Sequence, residues 1–248
     1  MNISGNTILV TGGSSGIGRA LAEALHAKGN TVIVSGRRER LLDEVTAANP
    51  GMESMLLDIQ DRADIEAFGK QAIARFPALN VVVNNAGIMK PEKQIDLAIA
   101  EDTIATNLLG PIRLSAALLP HLLAQPKASL VTVSSGLAFV PLAATPTYSA
   151  TKAAIHSWSM AMRHQLKDTS VEVIEIAPPY VQTELLGPHQ ATDPDAMPLA
   201  EFIAEVIAIL EEAPASGEVI VERCKPLRFA AENGNLAQIF AALSARDH

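Results

Sequence analysis

Seven short apolar runs alternate with stretches of helical spacing along the whole 248-residue chain, and this rhythm constrains the fold more than any other feature. The runs are Thr7–Thr11, Thr31–Ser35, Met52–Asp58, Leu79–Asn84, Ser129–Ser134, Val171–Ala177 and Glu218–Val221. The stretches that follow them are Gly16–Lys28 (closed by Gly29), Arg38–Ala48, Asp61–Arg75, Asp96–Ala124, Thr147–Lys167, Pro198–Glu212 and Asn235–Ala245. Short runs rich in Val and Ile at consecutive positions need cover on both faces, which a parallel sheet between two helical layers provides. The expected fold is therefore α/β: one doubly wound domain over residues 1–248, with a seven-stranded, mostly parallel sheet and helices on both faces. Pro111 inside the longest helical stretch predicts a kink. The irregular segment Glu184–Met197, with Pro188, Pro194 and a following Pro198, is too polar for core. It is expected to act as a substrate lid, spanning 184–200.

Composition narrows the function classes. Aromatic residues are only 4% of the chain, so aliphatic side chains must build the core. With 19 basic and 27 acidic residues the net charge is −8, and no Lys/Arg tract is present. Such a chain lacks the field that non-specific nucleic-acid binding requires. A single cysteine, Cys224, excludes an internal disulfide framework and a cysteine-based zinc cluster, and reads as an inert buried thiol. No apolar run approaches the ~20 residues of a membrane-spanning helix, and no basic leader precedes an apolar stretch. A cytoplasmic protein with no membrane partner is the expectation.

Thr11-Gly12-Gly13-Ser14-Ser15-Gly16-Ile17-Gly18 joins the first strand to the first helix. Glycines at such a turn let backbone approach a pyrophosphate, and the helix N-terminus offers N–H donors and positive dipole. Gly12, Ser14, Ser15, Gly16, Ile17 and Gly18 are thus candidate cofactor contacts, although the spacing departs from the usual Gly-x-Gly-x2-Gly. The second strand ends in Ser35-Gly36-Arg37-Arg38, where an acid would ordinarily meet a free ribose 2′-hydroxyl. No acid stands there, and Arg37 has the planar fork that suits a 2′-phosphate. The reading is NADP(H) preferred, with NAD(H) possible; the competing reading is a solvated arginine pair at a helix start.

Tyr148 and Lys152 stand four apart, on one face of a predicted helix. A phenol near pKa 10 is too weak a base at neutral pH, and a neighbouring cation favours its ionised form. The chain has only two tyrosines, and Tyr148 follows a strand ending in Ser134-Ser135.

Taken in order, these motifs resemble the short-chain dehydrogenase/reductase superfamily, in its branch of about 250 residues with a single Rossmann domain. The resemblance runs over residues 7 to 183. It implies that Asp58 and Ile59 meet adenine, that Asn85, Ala86 and Gly87 (from Asn84-Asn85-Ala86-Gly87) line the cofactor, and that Asn107 is the asparagine of a catalytic tetrad. Ser135 lies thirteen residues before Tyr148, the family spacing, and is chosen over Ser134. Tyr148 and Lys152 complete the tetrad and also touch the cofactor. Pro178, Val181 and Thr183 fit the family's nicotinamide contacts, but Pro179 replaces the usual glycine, which leaves the course of that loop open. The Pro-Pro form and the tail Glu218–Phe229 look similar to the oxidoreductases encoded with lipoteichoic-acid alanylation genes.

The resemblance implies an NADP(H)-dependent oxidoreductase that moves hydride between nicotinamide and a carbonyl or secondary alcohol. Ser135 would hold the carbonyl oxygen, Tyr148 would act as general acid/base, and Lys152 would tune the tyrosine and hold the ribose. Asn107 would position a water leading from Lys152. The rival is a catalytically silent cofactor-binding sensor of the same fold. His156, four residues after Lys152, is read as packed or surface helix, with a role as alternative acid as the competing assignment. His121, His164 and His189 lack metal spacing, so no metal site is expected. Small residues Ala150, Ala153, Ala154, Ser157 and Ala161, together with the apolar stretch Leu108–Leu123, predict helix pairing between subunits, hence a homodimer or homotetramer.

Overall fold

A computed structural model describes residues 1–245. The strands are β1 Thr7–Thr11, β2 Thr31–Gly36, β3 Glu53–Leu56, β4 Leu79–Asn84, β5 Ala128–Val133, β6 Val171–Ile176 and β7 Glu218–Val219. They form one sheet in the order β3-β2-β1-β4-β5-β6-β7. Every pairing is parallel, so the sheet is wholly rather than mostly parallel. The helices are α1 Gly16–Ala27, α2 Glu39–Ala48, α3 Arg62–Arg75, α4 Leu97–Ile104, α5 Gly110–Leu123, α6 Pro146–Gln165, α7 Leu199–Glu212, α8 Lys225–Arg228 and α9 Leu236–Ser244.

Strand alternation sorts the apolar residues into two cores. Ile8, Val10, Val32, Val34, Val81 and Val83 point to one face, under Leu21 and Leu25 of α1, Leu42 and Val45 of α2, and Phe202 and Val206 of α7. Leu9, Ile33, Val82, Leu130 and Val173 point to the other, under Ile65 and Phe68 of α3 and Leu114, Leu118 and Leu122 of α5. Successive side chains on a strand project to opposite faces, so consecutive Val and Ile serve both layers at once. β1 lies between β2 and β4, where the winding reverses and the strand ends open a crevice.

The predicted helix 96–124 is divided. Between α4 and α5 the backbone widens into a π-helical turn, Ala105–Leu109, which contains Asn107. Pro111 sits at the start of α5, where it has no N–H to return to the residue one turn earlier. The expected kink therefore takes the form of a π-turn, a common way for a helix to absorb a lost rung. Pro120, also inside α5, was not anticipated as a perturbation. β3 and β7 are shorter than predicted, and the tail beyond β7 adds a 3₁₀ turn Glu222–Cys224 and the short α8 before α9.

Candidate active site

The crevice at the C-terminal ends of β1, β2, β4, β5 and β6 is a cleft of about 940 Å³. Of the residues expected at the cofactor, Gly12, Ser14, Ser15, Gly16, Ile17, Gly18, Arg37, Ile59, Asn85, Ala86, Gly87, Pro178, Val181 and Thr183 line it. So do Ser135, Tyr148 and Lys152.

The glycine turn is built for close approach. Gly12 has φ +66°, and a Cβ there would lie 2.9 Å from the Cα of Ala86. A Cβ on Gly18 would lie 2.3 Å from Asn85 Nδ2 and 2.4 Å from the Gly12 carbonyl oxygen, so only glycine fits. Asn85 Nδ2 donates to the Thr11 carbonyl at 2.9 Å, and the Asn85 and Ala86 N–H groups donate to Thr11 Oγ1 at 3.0 and 3.1 Å. The Asn85 side chain thereby ties the loop after β4 to the loop after β1. Ser15 occupies the N-cap of α1 without a side-chain capping bond, which leaves first-turn N–H groups for another acceptor. These open donors, next to a turn with no room for side chains, fit a pyrophosphate.

Arg37 is exposed at the lip of the cleft, with its guanidinium 4.0 Å from Asp58. The Asp58 carboxylate accepts from the Gln60 N–H at 3.0 Å and does not line the cleft; Leu57 and Ile59 on either side do. Arg38, read from sequence only as the start of a helix, extends its Nη2 back to Ser14 Oγ at 3.0 Å and Ser15 Oγ at 2.7 Å. This residue was missed because nothing in the spacing shows that the ends of β1 and β2 converge. The double arginine at the end of the strand was the one available signal.

The α6 helix carries both Tyr148 and Lys152. Its first turn is capped by Glu92, whose carboxylate accepts from Thr147 N at 3.0 Å and from Thr147 Oγ1 at 2.9 Å. One turn apart on the inner face, Tyr148 and Lys152 are both buried. Lys152 Nζ stands 5.5 Å from the centre of the Tyr148 ring and donates to the Val133 carbonyl at 2.8 Å. Ser135 lies close enough to the Tyr148 phenol to ease its ionisation, and its Oγ accepts from Leu137 N at 3.1 Å. Ser134 is turned away, with its hydroxyl toward the Ile176 carbonyl at 3.5 Å.

Burial pushes the Tyr148 phenol up to about 12, against the lowering effect of its bond to Ser135. Burial also brings the Lys152 ammonium down to about 8, while Glu175 acts the other way. From the spacing alone the cation is expected to pull the phenol down; here loss of solvent dominates for both groups. At neutral pH the phenol keeps its proton beside a charged lysine, the arrangement needed to deliver a proton.

Asn107 does not line the cleft. Its Oδ1 accepts from Ile88 N at 2.9 Å, and its Nδ2 donates to the Ile88 carbonyl at 2.9 Å and to Thr151 Oγ1 at 3.3 Å. The side chain pins the loop after β4 to the π-turn and α6. Pro179 is accommodated without left-handed backbone: among the described residues only Ala213 and glycines have positive φ. The segment after it is closed on itself. Val181 bridges to Met197, and Gln190 Oε1 accepts from Leu186 N at 2.8 Å while its Nε2 donates to the Val181 carbonyl at 2.8 Å. The Tyr180 hydroxyl donates to Asp193 at 3.0 Å. Cys224 is buried, and burial pushes its thiol up to about 12.

The family described as short chain dehydrogenase matches residues 6–194. A Bacillus subtilis protein, "uncharacterized oxidoreductase DltE", is 50% identical over 192 residues, covering 75% of each chain. A short-chain dehydrogenase from Streptomyces avermitilis superposes with a TM-score of 0.82 at 27% identity, covering 95% of this chain and 96% of that one. A short chain dehydrogenase from Burkholderia cenocepacia in complex with NADP superposes with a TM-score of 0.82 at 25% identity, covering 99% of this chain and all of that one. Fold, motif order and relatives agree: this chain belongs to the short-chain dehydrogenase/reductase superfamily, with similarity to DltE.

Proposed function

We propose that the protein is an NADP(H)-dependent reductase or dehydrogenase of one catalytic domain, acting on a carbonyl or the matching secondary alcohol. The observation that carries this reading is the buried Ser135–Tyr148–Lys152 group, on the floor of the cleft that also contains the glycine turn and two arginines. A bound nicotinamide supplies the hydride or accepts it. The turn Gly12–Gly18 and the start of α1 hold the pyrophosphate. Ser14, Arg37 and Arg38 surround the place for a 2′-phosphate, and Leu57 and Ile59 flank the adenine. Val181 and Thr183 meet the carboxamide, and Lys152 holds the nicotinamide ribose. Ser135 donates to the carbonyl oxygen as it gains negative charge, and Tyr148 gives that oxygen its proton. Asn107 acts by holding the Ile88 loop and α6 together beside Lys152.

Much of the remaining cleft wall is aliphatic, with Met89, Leu137, Leu142, Leu185, Leu227 and Leu243 among its members, while Lys90, Tyr180, Glu184 and Gln190 add polar groups. That favours apolar carbonyl compounds, with the closed segment 184–200 as the lid. A panel of ketones and aldehydes offered with NADPH and NADH, followed at the nicotinamide absorbance, tests the reading.

Arg37→Ala and Arg38→Ala are each expected to raise the KM for NADPH tenfold or more, in line with ~1.5–3 kcal/mol for a charged hydrogen bond. The KM for NADH is expected to stay near its starting value. Equal use of both cofactors by the unaltered protein would contradict the assignment.

Assembly is part of the proposal. Ala150, Ala153, Ser157, Met160 and Ala161 form an exposed strip along α6, and Leu97, Ile104 and Leu109 are exposed on the α4–α5 segment. Small side chains allow two helices to approach closely while apolar neighbours bury area. Light scattering at micromolar concentration is expected to give a dimer or tetramer, and a mass of 26.2 kDa would count against it. No helix among the described residues is long and apolar enough to cross a membrane. A small-molecule enzyme dependent on NADPH is placed in the cytoplasm by this reading.

A further inference from the structure

Below Tyr148 and Lys152 the sheet and α6 enclose a carboxylate that the chemistry above does not use. Glu175, on β6, has no exposed surface. Its two oxygens lie 2.9 and 3.0 Å from His156 Nδ1, one turn beyond Lys152 on α6. Strand pairing sets Glu175 opposite Thr132, and the next rung sets Ile176 opposite Val133. Val133 is the residue whose carbonyl accepts from Lys152 Nζ. Ammonium and carboxylate therefore meet the sheet at adjacent rungs.

The surrounding charges are already engaged. Glu218 of β7 accepts from Arg228 Nε at 2.9 Å and Nη2 at 3.3 Å, and Arg228 Nη1 also donates to Glu232 at 3.0 Å. Arg228 lies over the Phe139 ring at 5.0 Å, and the same ring meets His156 edge-on at 4.8 Å. The Cys224 thiol also lies near Glu175, and its buried sulfur keeps its proton. Glu218 also lies near His156 and Glu175, but Arg228 holds it. Among the described residues no lysine or arginine forms an ion pair with Glu175 at direct contact; His156 is its partner. A carboxylate with no exposed surface and no guanidinium against it is unfavourable unless hydrogen bonds and nearby positive charge offset its loss of water.

We propose that Glu175 is a positioning residue for the reaction: its carboxylate, oriented by His156, keeps Lys152 charged beside Tyr148. The proposal rests on the reading of Tyr148 and Lys152 given above. Burial acts against the Lys152 ammonium, and Glu175 is the charge that opposes it. Carbonyl reduction needs phenol and ammonium both protonated, so its rate falls as pH rises through the Lys152 titration, at about 8. Removing the Glu175 charge makes the ammonium easier to deprotonate, and the fall moves to lower pH.

The experiment is a pH profile of kcat/KM for NADPH-dependent reduction, in the unaltered protein and in Glu175→Gln. The alkaline limb is expected to move acidward by about one pH unit, the lower end of the range for loss of a neighbouring opposite charge. The rate on the acid side should be largely kept. His156→Ala, at a half-buried position, removes the orienting donor. It should move the limb in the same direction by less, and His156→Gln, which keeps a donor, should restore it. A rate lowered by the same factor at every pH, with the limb unmoved in both Glu175→Gln and His156→Ala, overturns the proposal and leaves a packing role. Carbon-13 NMR of labelled lysine, with Lys152 assigned by its loss in Lys152→Met, reads the same titration without substrate. If the unaltered protein reduces no carbonyl, the catalytic reading fails, while the NMR titration still decides whether Glu175 holds the Lys152 charge.

Discussion

Replacing Tyr148 with Phe is expected to lower kcat for carbonyl reduction by about 10²–10⁴-fold, the range for losing a general acid. NADPH affinity should change little. The substitution keeps the buried ring and its place under Lys152 and removes only the hydroxyl that Ser135 engages. Nothing in the cradle for the pyrophosphate depends on that hydroxyl, because the open donors there belong to the first turn of α1. Ser135→Ala should cost less, about 10²-fold, because one of two groups around the carbonyl oxygen remains. His156 provides the control. Its Nδ1 is directed at Glu175, so His156→Ala should shift a pH limb and not abolish turnover. Measured side by side on a substrate for which chemistry limits the rate, a Tyr148→Phe enzyme with more than about a tenth of normal kcat would remove the tyrosine from the mechanism.

Lys152→Met should be damaging in two ways. Turnover is expected to drop about 10²–10⁴-fold, because the phenolate that Tyr148 becomes on giving up its proton loses the cation beside it. NADPH should also bind about tenfold or more weakly, because the same ammonium is assigned to the nicotinamide ribose, and a charged hydrogen bond contributes ~1.5–3 kcal/mol. This pattern separates Lys152 from Tyr148: one variant loses rate alone, the other loses rate and cofactor affinity together. Equilibrium binding by nicotinamide fluorescence, paired with kcat, reads both. A Lys152→Met protein that binds NADPH normally would leave the lysine without its cofactor role.

Much of this architecture is written in local pattern. β1, β2, β4, β5 and β6 fall within a residue or so of the expected bounds because each is buried on both faces and must be apolar throughout. β3 and β7 are less legible for a physical reason: as edge strands they pair on one side only, so pairing ends earlier than the apolar run. The glycine turn and the Tyr148–Lys152 spacing are legible because each is one local segment. The π-turn was half legible: Pro111 announced a lost rung, but not the close packing of the adjoining Gly110 on Ile59, where a Cβ would come within 2.6 Å.

What escaped the sequence depends on distant segments meeting. Arg38 reaches Ser14 and Ser15 only because β1 and β2 are neighbours with their ends aligned. Glu175 sits in a strand that also holds Glu172, and spacing alone does not rank the two. Glu172 is near the surface and pairs with the N-terminal ammonium at 2.7 Å, whereas α6, β7 and the tail seal Glu175. Asn107 was placed by resemblance near the lysine. The structure adds what its amide does, which is to fasten Ile88 through both of its polar atoms.

The most direct test of the central claim is isotope transfer. NADPH deuterated at the transferable position of the nicotinamide ring is incubated with the protein and an apolar ketone, and the alcohol is examined by mass spectrometry. Alcohol carrying deuterium on the former carbonyl carbon is expected from the unaltered protein, in a yield reduced by about 10²-fold or more with Tyr148→Phe. Alcohol without deuterium, or equal yields from the two proteins, would contradict that claim.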